Sequence, residues 1–365
     1  MKILIDLTAL ADNFSGIERY AACLTRELLR YNENEYILIF KNEVHPIFKD
    51  CENRKSIEIA VISSCKKLFF NQIKLPFEIY KYTADWYLFM AFPVPILLFR
   101  KNMVSTIHDI CCWDCPETMN GMSKWYFRIS HRAAMIKCKS IITISKFSKA
   151  RIVARLNYPK EKIWLIYCGV DKKFLNYVPN QERSKRVREQ YNLPEQYILS
   201  VSTLEPRKNL RLLISSYQKL ILNGGIDIPL VLAGRKGWKV DGLLNDIDDK
   251  VKDRILFTGF INDVDLPVIY GNAKLFVFPS MYEGFGIPPL EAMACGTRVL
   301  SSNTCSLPEV LGETAEYFEN NDEEDLCVKI NKCLKNNSDR TFKFKQNKFL
   351  WSYEAEKLIN FMREI

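Results

Sequence analysis

The sequence predicts an α/β chain of two doubly wound parallel-sheet domains in tandem. Three observations carry this. Short apolar runs alternate with longer helical patterns from end to end. Most of these runs are nearly continuous rather than alternating, as in strands covered on both faces. The series then restarts near residue 197, after a polar and strand-poor stretch. A chain of 365 residues is comfortable for two cores.

In the first half KILIDL, EYILIF, IEIAVI, DWYLFM, MVSTIH, SIITIS and IWLIY read as strands. GIERYAACLTRELLRY follows the first of them, with apolar residues three and four apart, and reads as a helix. The run WYLFMAFPVPILLF (86–99) is too short to span a bilayer and carries Pro93 and Pro95, so a buried strand and loop are expected. NYVPNQERSKRVREQYNLPEQ reads as a linker plus one helix. In the second half YILSVS, PLVLAG, RILFTG, KLFVFP and RVLSS read as strands, and KFLWSYEAEKLINFMREI as a closing amphipathic helix. The expected domains are 1–176 and 190–345, joined by a linker at 177–189 and followed by a terminal helix at 346–365.

Hydrophobic content of 48% and charged content of 26% suit a globular enzyme. MKILIDLTAL carries one lysine and then a strand-like run with Asp6 inside it, so no export signal is expected and a cytoplasmic location follows. Twelve cysteines in such a chain read as reduced thiols. Cys112-x-x-Cys115 is half of a zinc pattern with no second half, and the chain has three histidines; no metal is expected. Residues 1–175 hold 27 Lys and Arg against 17 Asp and Glu, while the rest holds 25 against 26. The formal charge of +9 therefore belongs to the N-terminal half. It fits an anionic partner, or simply a solvated basic surface. In CKKLFFNQIKLPFEIYKY (65–82), Lys66, Lys67, Lys74 and Lys81 mix with aromatics. The segment reads either as a face lying on an anionic membrane or as a core helix with a basic outer side. No recognised nucleic-acid module is present.

In open parallel sheets, ligands bind beyond the carboxyl ends of the strands, so the residues just after each strand matter most. SVSTLEPRKNLRLLI (200–214) puts Arg207 and Lys208 at a turn before a helix start, an anion site suited to a diphosphate. Gly16 precedes a helix after the first strand and lets backbone approach a phosphate, although the loop is not G-x-G-x-x-G. His108 and Asp109 end a strand; the histidine there serves a hydroxyl, or is structural. SMYEGFGIPPLEAMACGT (280–297) follows a buried strand. Gly284 and Gly286 would offer backbone N–H groups, Pro288 and Pro289 suit a helix start, and Glu291 is expected in its first turn. Glu283 and Glu291 are then two acceptors for vicinal hydroxyls.

Glu283-x7-Glu291 within PSMYEGFGIPPLEAMACGT resembles the signature of the retaining GT-B-fold glycosyltransferases of family GT4. SGIERY, TIHD, TISKFS, YCGVD, PRKN, FTGFI, SNTCSLPEVLGE and LWSYEAEKL match in order, over nearly the whole chain. The resemblance implies two Rossmann-like domains with a cleft between them, the C-terminal one holding a nucleotide-sugar and the N-terminal one the acceptor. The terminal helix would cross back to the N-terminal domain. It implies Arg207 and Lys208 on the diphosphate with help from backbone at Gly16, Glu291 on the ribose and Glu283 on a sugar hydroxyl. Amides around Phe285 and Gly286 would touch the donor, His108 the transferred sugar, and backbone near Phe260 the base. Reaction would proceed with retention, without metal or cofactor. GDP-mannose-type donors are favoured over UDP-sugars, with a glycan or polyprenyl-diphosphate-linked acceptor, as in bacterial O-antigen and lipopolysaccharide synthesis. Ser15 and Glu18 flank the Gly16 loop where a second glycine is frequent, Arg298 stands for a proline, and Cys168 for an asparagine. Asp246-Ile247-Asp248 and Asp263-Val264-Asp265 are DxD strings read as solvated faces. An epimerase of the same fold and a catalytically silent binding subunit are the alternatives.

Overall fold

The computed structural model describes residues 1–11, 16–66, 69–237, 242–336 and 349–364. The chain divides into two compact units, Met1–Gly169 with Phe349–Ile365, and Val170–Lys348.

The first unit is built on seven parallel strands: β1 (Lys2–Asp6), β2 (Glu35–Lys41), β3 (Ile57–Ile62), β4 (Trp86–Phe89), β5 (Met103–Thr106), β6 (Ser140–Thr143) and β7 (Ile163–Leu165). Their order is β3-β2-β1-β4-β5-β6-β7, so the chain works outward from β1 and then resumes on its other side at β4. Leu4, Ile37, Phe89, Met103 and Ile141 share one core cluster on one face, while the alternate residues Ile3, Ile5, Leu38, Phe40 and Leu88 are buried as well, so both faces are covered and the apolar runs are unbroken. The run 86–99 is buried through β4 but ends exposed at Leu97 and Phe99. Within 65–82, Phe70–Lys74 forms a wide helical turn leading into helix Leu75–Ile79. Phe70, Leu75 and Ile79 point inward, whereas Phe69, Ile73 and Phe77 are exposed. Lys67 lies outside the described residues.

The chain's last helix, Trp351–Glu364, belongs to this unit. Trp351, Ala355, Leu358, Ile359 and Met362 recur at helical spacing and are buried. They pack on helix Gly16–Leu28, with Tyr20 and Trp351 ring centroids 5.8 Å apart. Buried Glu354 accepts from the Tyr167 backbone N–H at 2.9 Å and from Lys357 at 2.8 Å. Gly169 is required here, since a Cβ would lie 2.6 Å from Cγ of Trp351.

The second unit has six parallel strands: β8 (Ile198–Val201), β9 (Leu230–Ala233), β10 (Ile255–Gly259), β11 (Leu275–Phe278), β12 (Val299–Ser302) and β13 (Glu316–Phe318). Their order is β10-β9-β8-β11-β12-β13. The direction of winding reverses between β8 and β11, and all carboxyl ends lie along one edge. Every expected strand is present; the three-residue β13 is additional. The stretch 177–189 is not a free linker. Helix Gln181–Gln190 buries Val187 and sits beside helix Leu266–Asn272, where the Ser184 hydroxyl meets Asn272 Oδ1 at 3.2 Å. One buried valine among charged neighbours is a weak sequence signal. Among the described residues no helix is long and apolar enough to cross a membrane.

Candidate active site

The winding reversal of the second unit brings two loops together, one after β8 and one after β11. The first carries a tight turn, Pro206–Lys208, then Asn209 at φ 53°, then helix Leu210–Leu222. The second runs from Pro279 to Gly286 and into helix Ile287–Ala294. The Met281 N–H donates to the Arg207 carbonyl at 2.9 Å, fastening one loop to the other.

Three side chains predicted from sequence meet there. Lys208 Nζ donates to Glu283 Oε1 at 2.6 Å. Arg207 donates to the Tyr282 carbonyl at 2.9 Å and lies 3.5 Å from Glu283 Oε2. Its other edge donates to Glu205 Oε1 at 2.9 Å, a partner the sequence reading missed. Burial alone would raise the Glu283 carboxyl, but Lys208 and Arg207 outweigh it and hold the group below its usual value. Glu283 is therefore ionised at neutral pH despite being only 6% exposed. The Lys208 ammonium has three protons and, among the described residues, commits one to Glu283. Ser306 Oγ lies 2.9 and 3.0 Å from the Glu283 and Phe285 carbonyls and pins the glycine-bounded loop from below.

Gly284, Phe285 and Gly286 are buried. Gly286 has φ 98°, and a Cβ would come 2.6 Å from Leu307 Cδ2, so the turn itself requires glycine. Glu291 lies in the second turn of its helix, not the first as expected, because the helix begins at Ile287 and its first turn holds no acid. It is oriented by a hydrogen bond from a neighbouring helix and does not sit at the helix start. The Tyr270 hydroxyl donates to Glu291 Oε2 at 3.0 Å, and Thr297 Oγ1 donates to the Tyr270 carbonyl at 2.5 Å. Neither Tyr270 nor Ser306 carried a local signal, since Tyr270 acts from helix Leu266–Asn272 and Ser306 from the loop after β12.

Phe260 directly follows β10 and is partly exposed, with the Arg235 guanidinium 4.9 Å from its ring centre. Arg298 does not enter this region. Its guanidinium reaches the carbonyls of Cys333 and Asn336, closing the end of helix Glu323–Lys335. Asp246 and Asp248 are exposed, but Asp265 is not a solvated face. It is buried and accepts from the Tyr191 hydroxyl at 3.1 Å, while Asp263 pairs with Lys173. Among the described residues, no group of three or more His, Cys, Asp or Glu side chains could hold a metal ion. Among the described residues no cysteine is bridged by a disulfide, and burial pushes the Cys112 thiol up to about 12.

In the first unit, Gly16 opens helix Gly16–Leu28, and Glu18 lies in its first turn; Ser15 is outside the described residues. His108 lies two residues beyond β5. Its Nε2 is 2.8 Å from the Met90 carbonyl, and Tyr20 packs edge-on against it at 5.1 Å. Burial lowers the imidazole's pKa, so the ring is neutral at pH 7. It then donates from Nε2 to Met90, and Nδ1 is left as an acceptor. Asp109 accepts from the Cys111 N–H at 2.8 Å. Cys168 is buried, and its thiol is raised by that burial and by Glu354.

The model for Glycosyltransferase Family 4 matches residues 14–174, and that for Glycosyl transferases group 1 matches residues 154–351, more than half of the chain. The chain belongs to the glycosyl transferases group 1. This group 1 chain is 37% identical over 243 residues to the O-antigen chain mannosyltransferase B of Escherichia coli, covering 65% of this chain and 62% of that one. It is 30% identical over 231 residues to the O-antigen chain mannosyltransferase RfbU of Salmonella typhimurium, covering 63% and 60%. The match thus spans less than two thirds of these curated relatives. Over its full length it superposes on Anabaena HepE in complex with UDP and glucose, with TM-score 0.74, 17% identity and all of both chains covered. It superposes equally on the sucrose-phosphate synthase of Thermosynechococcus elongatus, with TM-score 0.74, 21% identity and 98% of that chain covered. Two parallel-sheet units and these neighbours give the group 1 chain the GT-B fold.

Proposed function

We propose that this chain is a retaining glycosyltransferase. It moves a hexose from a nucleotide-sugar to a glycan or polyprenyl-diphosphate-linked acceptor during bacterial surface polysaccharide synthesis. The observation that carries this is the contact of Lys208 and Arg207 with Glu283 across the winding reversal, where an open α/β sheet takes its ligand.

The two cations hold the diphosphate and, with the nearby helix start, stabilise the charge that leaves with it; no step is assigned to a metal. One such preorganised donor is worth about 10²–10³ in rate. Glu283 accepts from a sugar hydroxyl, and Glu291, oriented by Tyr270, accepts from the ribose. Backbone at Gly16, Gly284, Phe285 and Gly286 contacts the donor, and backbone near Phe260 meets the base. His108, with Nδ1 as an acceptor, takes a hydroxyl of the transferred sugar. The anomeric carbon–oxygen bond to the diphosphate breaks. A bond to the acceptor oxygen forms on the same face, and the acceptor proton passes to the departing phosphate.

A GDP-mannose-type donor is favoured because the relatives at 37% and 30% identity carry the name mannosyltransferase; UDP-hexoses come next. A lipid-linked acceptor would draw the basic first unit to the cytoplasmic face of an anionic membrane. Thermal shift with GDP- and UDP-hexoses tests the reading, since a ligand of the native state raises the melting point. A donor-specific rise together with transfer to a soluble glycan supports it. A rise without transfer favours a silent binding subunit, conversion of the free nucleotide-sugar favours an epimerase, and no rise with any donor ends all three.

A further inference from the structure

We infer that the first unit docks on an anionic lipid surface through a face centred on helix Gly121–Lys137. This deepens the lipid-linked acceptor reading and rests on it for its purpose, but the surface argument is separate. The helix is inverted for a soluble protein. Ser130, His131 and Ala134 point inward, while Met122, Trp125, Ile129 and Ile136 are each more than half exposed. With exposed Arg132 they step by three, four, three and four residues, which keeps them on one side of the helix. Among the described residues, nothing covers this row of large apolar side chains along a helix of about 25 Å.

Charge selects the occupant. The helix carries Lys124, Arg128, Arg132 and Lys137 and no acid. Arg128 lies 5.7 Å from the Trp125 ring centre and exposed Arg132 stands within the row itself, so cations sit among its apolar side chains. A second copy of this face would meet like charge, whereas anionic headgroups over acyl chains match both its charge and its apolar row. The face also continues beyond the helix. Lys137 Nζ lies 3.8 Å over the exposed ring of Phe99 and donates to the Leu98 carbonyl at 3.2 Å. The Phe99 N–H in turn donates to the Tyr80 hydroxyl at 2.9 Å. Tyr80 ends the segment whose Phe69, Ile73 and Phe77 face outward. The acid of that segment, Glu78, is paired with Lys81 at 2.7 Å.

The test is co-sedimentation of the full chain with phosphatidylglycerol–phosphatidylethanolamine vesicles containing no glycolipid, against phosphatidylcholine vesicles. At least tenfold tighter binding to the anionic vesicles is expected. It should weaken but persist at 1 M salt, where screening leaves a Debye length of about 3 Å. The Ile129→Ser/Ile136→Ser variant should bind at least tenfold more weakly, while Val328→Ser, an exposed site in the second unit, should leave binding unchanged. Turnover on a soluble acceptor should be unchanged in both variants. Equal binding to both vesicle types, unaltered binding of the double variant, or a wild-type dimer that the double variant dissociates would each overturn the proposal. Because the vesicles hold no acceptor, Lys208→Met should sediment with them like the wild type. Binding without turnover on any donor would remove the transfer reading alone, and turnover without binding would remove the docking face alone.

Discussion

Lys208→Met separates structural from chemical roles at the site. The variant keeps the aliphatic stem but removes the charge 2.6 Å from Glu283 Oε1. Breaking a buried ion pair by deleting one partner costs about 3–5 kcal/mol. Arg207 remains 3.5 Å from Oε2, which puts the expected loss near the lower bound, about 3 kcal/mol. For a unit of this size each kcal/mol is worth about 2–4 °C in melting temperature, so a fall of about 6–12 °C follows. The rate effect is separate: losing a donor to the leaving diphosphate lowers kcat by about 10²–10³. Glu283→Gln/Lys208→Met removes both charges and should regain most of the stability while remaining slow. The pH response also changes. The wild-type Glu283 carboxyl is depressed in the folded protein, so its contribution is present above the usual carboxylate value and is lost as pH falls through the folded one. Without Lys208, burial gains on the remaining cation and that acid-side loss shrinks. Calorimetric melting from pH 4 to 8, beside turnover at saturating donor, reads all three effects. Near-normal kcat in a folded Lys208→Met protein would refute the reasoning about the diphosphate, and an unchanged melting point would refute the buried pair.

Tyr270→Phe removes the donor 3.0 Å from Glu291, a bond to a charged acceptor worth about 1.5–3 kcal/mol. Donor KM should rise at least tenfold with kcat little changed in steady-state kinetics, because ribose contacts are made equally in ground and transition states. Gly286→Ala forces a side chain onto φ 98° and against Leu307, and should cost about 1–3 kcal/mol in urea unfolding; adding Leu307→Ala relieves the contact but not the backbone strain. Burial raises the Glu354 carboxyl despite Lys357 and the Tyr167 N–H, so its stabilisation is present at low pH and declines as pH rises through the folded value. Glu354→Gln should remove that decline from the urea midpoint measured against pH, and parallel curves for the two proteins would count against a raised carboxyl.

The strands were legible because covered parallel sheets demand unbroken apolar runs, and β13 escaped because three residues with Glu316 among them make no such run. The terminal helix was legible from its spacing. The helix Gln181–Gln190 was expected within the linker stretch, but its packing was not legible, since Val187 alone carries its burial. At the site, local reading singled out Arg207, Lys208 and Glu283, each in the loop that follows a strand. It misplaced Glu291 by one turn because two prolines made the helix start ambiguous. It could not find Glu205 as a partner of Arg207, because spacing alone does not say that two residues of one turn face each other, nor Tyr270 as a partner of Glu291, because that contact joins two helices that meet only in the folded unit. Arg298 showed the same limit: only the fold sends its side chain to a helix end instead of the ligand edge.

The central claim is that Arg207 and Lys208, at the winding reversal of the second unit, hold the diphosphate of a donor nucleotide. Titration calorimetry of GDP against GMP, and UDP against UMP, measures it most directly on wild type and on Lys208→Met. For the preferred base, the diphosphate should bind at least tenfold tighter than the monophosphate in the wild type, and that ratio should collapse toward one in the variant. Equal affinities in the wild type, or a ratio that survives the loss of Lys208, would contradict the account.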